Sequence, residues 1–222
     1  MSALSDAQTE AHADAHPGHQ LERLAFFSDA VFAIAITLLV IEIHPPHVHD
    51  PADTGAYLRA LAGLWPEMFG FLISFYSIGN FWVGHHRAFS MAAHWSERLL
   101  LPNLVMLLAI VAMPFVTGFM SINGSARVPT VLYSGWLLFA ALVNLWLQRR
   151  VLTPPVLSDQ VAPERIGTIR RRGQAVTLGA ACALIACSLA PWPGTGMAAL
   201  LTIPLWRMLL DARARTAGRR RR

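Results

Sequence analysis

Lysine is absent from this chain, and all 18 basic residues are arginine. Charge of either sign is scarce, at 14% against the roughly 25% of an average soluble domain. With 55% hydrophobic residues gathered in long runs, the 222 positions read as a polytopic membrane protein. Only two cysteines occur, Cys182 and Cys187, both inside one apolar run. At that spacing on a helix they point to different faces, which excludes a disulfide framework or a metal pair and leaves packing. The N-terminal stretch has no basic region ahead of a short apolar core, so no cleaved signal peptide is expected, and 1–22 is read as a disordered cytosolic tail. A Gly-rich phosphate loop, a nucleophile motif and a carbonyl filter of the TVGYG type are all lacking, and "GTGM" from Gly194 does not replace the last. These absences argue against an enzyme and against an ordinary potassium-channel pore.

Six apolar runs are present, at about 24–43, 56–83, 99–120, 129–147, 174–191 and 196–210. They have no period-two alternation, so helices are the spanning form. The sequence therefore predicts an all-α integral membrane protein of six transmembrane helices over 23–211, followed by a flexible basic tail at 212–222. The sixth run is short and must borrow flanking residues or thin the bilayer. Trp65, Trp82, Trp95, Trp136, Trp146, Trp192 and Trp206 fall near run ends, where most would join the interfacial belts. Sixteen of the 18 arginines lie in the N-terminal segment, the second and fourth loops and the C-terminus, with only Arg59 and Arg127 opposite. Both termini are thus expected in the cytosol of a multi-pass cell-membrane protein. Orientation also accounts for the net charge of +5 without nucleic acid as a partner. The fourth loop, from Arg149 to Arg172, is read as the longest internal linker because its prolines oppose one continuous helix.

The first run is the most informative. At about 100° per residue, Phe27, Ala30, Ile34, Thr37, Leu38 and Ile41 share one stripe, while Asp29 falls about 220° from Ile34. Such a stripe ordinarily packs against helices or lipid, with the threonine bonded to its own backbone. A carboxylate inside a span is costly and needs a partner. Candidates stand at the same end of the second run, in "NFWVGHHRAF" from Asn80 to Phe89, where His85, His86 and Arg87 are in reach. This cluster reads as a structural clamp, as a pH-sensitive switch, or as a metal site. The clamp is favoured, because adjacent histidines diverge on a helix. The outer-loop set His44, His47, His49 and Asp50 is read as solvated, and Glu67 is given no catalytic role.

Arg23, Phe27, Ser28 and Asp29 spell R-x-x-x-F-S-D at the start of the first helix, followed one span later by Trp82, His85 and His86. This pattern resembles the prokaryotic branch of the transmembrane protein 175 family, potassium channels related to the endosomal and lysosomal channel of animals. The resemblance implies six-helix subunits assembled as homotetramers, with the first helix lining a pore for K+ and no cofactor. It implies a pore constriction of Ile34, Leu38 and Ile41, a selectivity role for Thr37, and a structural role for Arg23, Phe27, Ser28, Asp29, Trp82, His85 and His86. The alternatives are a proton-coupled transporter, a metal-dependent intramembrane enzyme using Asp29, His85 and His86, and a scaffold without transport.

Overall fold

The computed structural model describes residues 17–219 apart from 49 and 51, and its regular elements are helices. Helix α1, Pro17–Leu38, opens at a proline, whose missing N–H costs nothing at a first helical position, and tightens into a 3₁₀ turn, Leu39–Glu42. It begins inside the stretch expected to be a disordered tail, so residues 17–22 are helical, while 1–16 lie outside the described residues.

The second expected span is two helices, α2 (Thr54–Gly63) and α3 (Trp65–Phe89), bent by 41°. Pro66 in the first turn of α3 has no N–H to offer the preceding turn, so the helix breaks there. Pro114 has the same effect between α4 (Leu100–Val111) and α5 (Met113–Ile122), which still form one span, Glu97–Ile122. Helix α6 is Arg127–Val151 and α7 is Pro163–Leu189. A 3₁₀ segment, Pro193–Thr202, then leads into α8, Ile203–Arg219.

Among the described residues four helical segments are long and apolar enough to cross a membrane, or five if the bent α2–α3 pair is one span. The expected sixth run, 196–210, is divided between the 3₁₀ segment and α8 and is not among them. Pro193, Gly194 and Gly196 disfavour an α-helix there, and Pro204 restarts one. Helix α8 continues through Arg219 on Ala- and Arg-rich sequence, so most of the tail assigned to 212–222 is helical, and 220–222 lie outside the described residues.

The fourth loop is also shorter than expected. Helix α7 starts at Pro163 and carries Arg165, Arg170, Arg171 and Arg172, which leaves 152–162 as the connection. That connection folds back on the end of α3, where Ala93 N–H donates to Val156 O (2.8 Å) and Ser158 N–H to Met91 O (3.0 Å).

The core joins α1, α3, α4, α5 and α6 through Phe32, Ile78, Phe81, Met106, Met113 and Leu137. Inside it, the Ser74 hydroxyl bonds Tyr133 Oη (2.8 Å) and Thr117 Oγ1 (2.7 Å), so three helices meet on one satisfied polar group. Trp136 is half-buried against this core, and its Nε1–H donates to Ala109 O at 2.8 Å. Arg127 caps the far end of α7, donating to the carbonyls of Ser188 (2.8 Å) and Ala190 (3.1 Å).

Cys187 is buried and accepts from Ser134 Oγ at 3.2 Å, a packing role. The 3₁₀ segment crosses α7 at this point so closely that a Cβ on Gly196 would stand 2.4 Å from Cys187 N. Backbone cannot yield as a side-chain tip does. Gly196→Ala is therefore expected to destabilise the fold by about 1–3 kcal/mol or more, read as a lowered melting temperature of the purified protein.

Candidate functional site

Helix α1 presents two unlike faces. Ser28, Phe32, Ala35 and Leu39 are buried against the bundle, recurring every three to four residues. The opposite stripe is uncovered, with Ile34 58%, Leu38 40% and Ile41 66% exposed. Phe27, Ala30 and Thr37 are exposed on the same stripe. Only 22% of the most apolar stretch of this span is buried, against 56% for Glu97–Ile122. The Thr37 hydroxyl donates to Ile34 O at 2.8 Å, so its proton is committed to the backbone and its oxygen lone pairs remain.

The buried face is fastened by a polar network. Ser28 Oγ donates to Leu24 O (2.8 Å) and accepts from Asn103 Nδ2 (2.9 Å). Asn103 Oδ1 accepts from His85 Nε2 at 2.8 Å, because an amide oxygen carries no proton of its own. That contact requires the Nε2–H form of His85. The His85 ring stacks on Phe89 with centroids 4.3 Å apart and meets Phe32 of α1 at 5.5 Å. Ser28, His85 and Asn103 are all buried, so α1, α3 and α4 share one satisfied cluster.

Asp29 leaves this cluster and turns along α3. Its Oδ1 accepts from Trp82 Nε1 at 2.8 Å, and His86 packs on the Trp82 ring with centroids 5.7 Å apart. The expected partners of Asp29 were His85, His86 and Arg87. Instead, His85 is engaged by Asn103, His86 faces the indole, and Arg87 points to a cavity elsewhere on α3. Arg23 is exposed, and among the described residues no carboxylate pairs with it. Asn103 was missed at the sequence level. Its one signal there was being a lone amide inside an apolar run.

Loss of the Asp29 contact is expected to be modest, because the bond is partly open to its surroundings. Asp29→Ala should lower stability by about 0.5–1.5 kcal/mol, with Asp29→Asn retaining most of it as an acceptor, both read by thermal melting.

At the other end, Glu67 Oε2 accepts from His44 N at 3.0 Å and pins the chain leaving α1 to α3. The Glu42 carboxylate lies against Gly118 of α5, within 2.0 Å of where a Cβ would stand, a space only glycine leaves. Among the described residues no three His, Cys, Asp or Glu side chains converge as metal ligands, and His49 lies outside those residues.

The segment that carries this geometry, residues 23–114, matches the family described as endosomal/lysosomal potassium channel TMEM175. A protein of Chamaesiphon minutus named a potassium channel is 41% identical to this chain over 129 residues, 56% of this chain and 63% of that one. A Streptomyces collinus protein, also named a potassium channel, is 39% identical over 99 residues, 45% of this chain and 47% of its own length. The mouse endosomal/lysosomal proton channel TMEM175 is 31% identical over 106 residues, 46% of this chain and 21% of its own. The chain thus spans less than two thirds of the length of these relatives. The fold likeness reaches further. The crystal structure of a lysosomal potassium-selective channel TMEM175 homolog from Chamaesiphon minutus superposes with a TM-score of 0.71, at 29% identity, over 86% of this chain and 98% of that one. The likeness in structure therefore extends through α7, well beyond the 23–114 segment.

Proposed function

We propose that this chain is a subunit of a potassium channel of the cell membrane, a homotetramer whose pore is lined by α1 and which needs no cofactor. One observation carries the reading. The stripe of Ile34, Thr37, Leu38 and Ile41 is left uncovered by the bundle, while the opposite face of the same helix is locked by Ser28 and Phe32. Around a symmetry axis, such stripes would stack into rings. Ile34, Leu38 and Ile41 would form a hydrophobic constriction that conducts when wetted and closes by dewetting. Thr37 sits between them with its proton already bonded to Ile34 O, so its oxygen offers lone pairs to a passing cation. That polarity suits K+, and selectivity follows from how much hydration the ion sheds there. Both termini would face the cytosol, since the arginines cluster at that end of the bundle.

The test is ion flux in proteoliposomes under matched K+ and Na+ gradients. Faster K+ flux is expected, and no flux from well-folded protein under either gradient would overturn the reading. The rival is proton-coupled transport. A cation flux that follows an imposed proton gradient, and vanishes without one, would favour that rival. The network does not favour it, because His85 is held between Asn103 and Phe89 rather than facing a cavity.

A further inference from the structure

Four helices enclose a second polar site that conduction does not use. The cavity is about 170 Å³ and is lined by Arg87 of α3, Asn144 and Gln148 of α6, Arg172 of α7 and Arg207 of α8. No carboxylate lines it, and among the described residues none of these arginines pairs with one.

The unpaired Arg172 Nε–H is the informative part. Asn144 and Gln148 are 4% and 3% exposed, yet Asn144 Oδ1, Gln148 Oε1 and Arg172 Nε are buried without a hydrogen-bond partner. Buried polar groups left unpaired are rare and costly in a folded protein. Two glycines make the room. The Gln148 Nε2 and Asn144 Nδ2 groups stand 3.3 and 3.5 Å from where a Cβ on Gly84 would lie, and Gln148 Oε1 stands 2.7 Å from the same point on Gly173. The site therefore combines three permanent cations, one with an unpaired Nε–H, with two amides that each carry a donor and an acceptor on rigid helices. A wider opening next to it, about 450 Å³, shares Arg87 and Arg172 and adds Ser90, Arg165 and Thr168, with Glu164 as its one acid.

We infer that this cavity binds a phosphate group, either the headgroup phosphate of an anionic lipid or free inorganic phosphate. Guanidinium groups match phosphate oxygens in geometry as well as charge. The volume lies well below the roughly 300–1,000 Å³ of a site for a drug-sized ligand, so one small anionic group fits, with any acyl chains outside. The position suits a headgroup, because Arg149 and Arg150 end α6 beside the cavity at the arginine-rich end of the bundle.

Native mass spectrometry of the full-length protein in detergent tests this, with phosphatidylglycerol, phosphatidylcholine and inorganic phosphate as probes. Retention of phosphatidylglycerol over phosphatidylcholine is expected. The double substitution Arg172→Gln, Arg207→Gln should weaken it by about 10-fold or more, through loss of charge-assisted hydrogen bonds. Arg87→Gln, at an exposed position, provides a milder variant if the double variant does not fold, and Arg213→Gln, outside the cavity, should bind as the wild type does. Phosphatidylglycerol held against millimolar phosphate identifies the lipid headgroup. Displacement by phosphate, or binding of phosphate alone, identifies the free ion. The inference falls if neither probe is retained above phosphatidylcholine, or if well-folded cavity variants bind like the wild type. Binding is read without ion flux, so this result stands or falls apart from the channel reading.

Discussion

Ile34→Asn is expected to raise basal cation flux and to lower the preference for K+ over Na+. Ile34 lies in the middle of the uncovered stripe, 58% exposed, one turn from Leu38. In a closed apolar ring an ion has lost water and gained no replacement, which is the source of the barrier. An amide ring keeps water in place and supplies oxygen to the ion. A barrier lower by only ~1.4 kcal/mol raises flux by about 10-fold. Selectivity falls for the same reason, since a wetted ring no longer makes the ion shed its shell. Proteoliposome flux on wild type and variant, at matched protein content, reads both effects. Unchanged flux from well-expressed Ile34→Asn would remove Ile34 from the proposed constriction.

Asn103→Ala is the second large effect, and it acts on stability. Asn103 is fully buried and serves two partners, donating to Ser28 Oγ at 2.9 Å and accepting from His85 Nε2 at 2.8 Å. Truncation strands the His85 Nε2–H in an apolar interior, while Ser28 keeps its bond to Leu24 O. At about 1–3 kcal/mol for one unsatisfied buried group, the loss is roughly twice that of Asp29→Ala. The lesion would also free α1 from α3 and α4, so in the proposed tetramer weakened assembly should accompany the lower melting temperature. A variant melting within a degree or two of the wild type would mean that the network is not what fixes α1. The ordering of the two variants is itself diagnostic, because the acid that stands out in the sequence is expected to matter less than the amide that does not.

Much of the helical layout was legible from composition alone. Apolar runs of span length cannot be left in water or built as open sheet, so they become helices. One stripe of α1 was legible as well, because the 3.6-residue period places Ile34, Thr37, Leu38 and Ile41 together and Asp29 away from them before any partner is known, while the buried face of Phe32 and Leu39 appeared only with the bundle. The breaks at Leu64 and Ala112 were marked by Pro66 and Pro114, but a run of hydropathy does not register a missing N–H. The start of α7 was hidden for a related reason. "PERIGTIRRR" is polar enough to look like a linker, yet Pro163 is a good first helical residue and the arginines tolerate a helix.

Partner choice is where sequence stopped and tertiary structure took over. The sequence placed a carboxylate and several histidines and arginines near one end, and proximity along the chain suggested pairing them by charge. Packing decided otherwise. The rotation of α3 turns Trp82 toward Asp29, turns His85 inward to Asn103, and sends Arg87 to a cavity shared with Arg172 and Arg207. Each of those outcomes depends on the angle at which one helix meets another. That angle is set by side chains far apart in the sequence, such as Phe32 against His85, and by glycines that let helices close in, such as Gly84 and Gly173. Periodicity along a single helix fixes which face a residue is on. Only the packed bundle determines what that face meets.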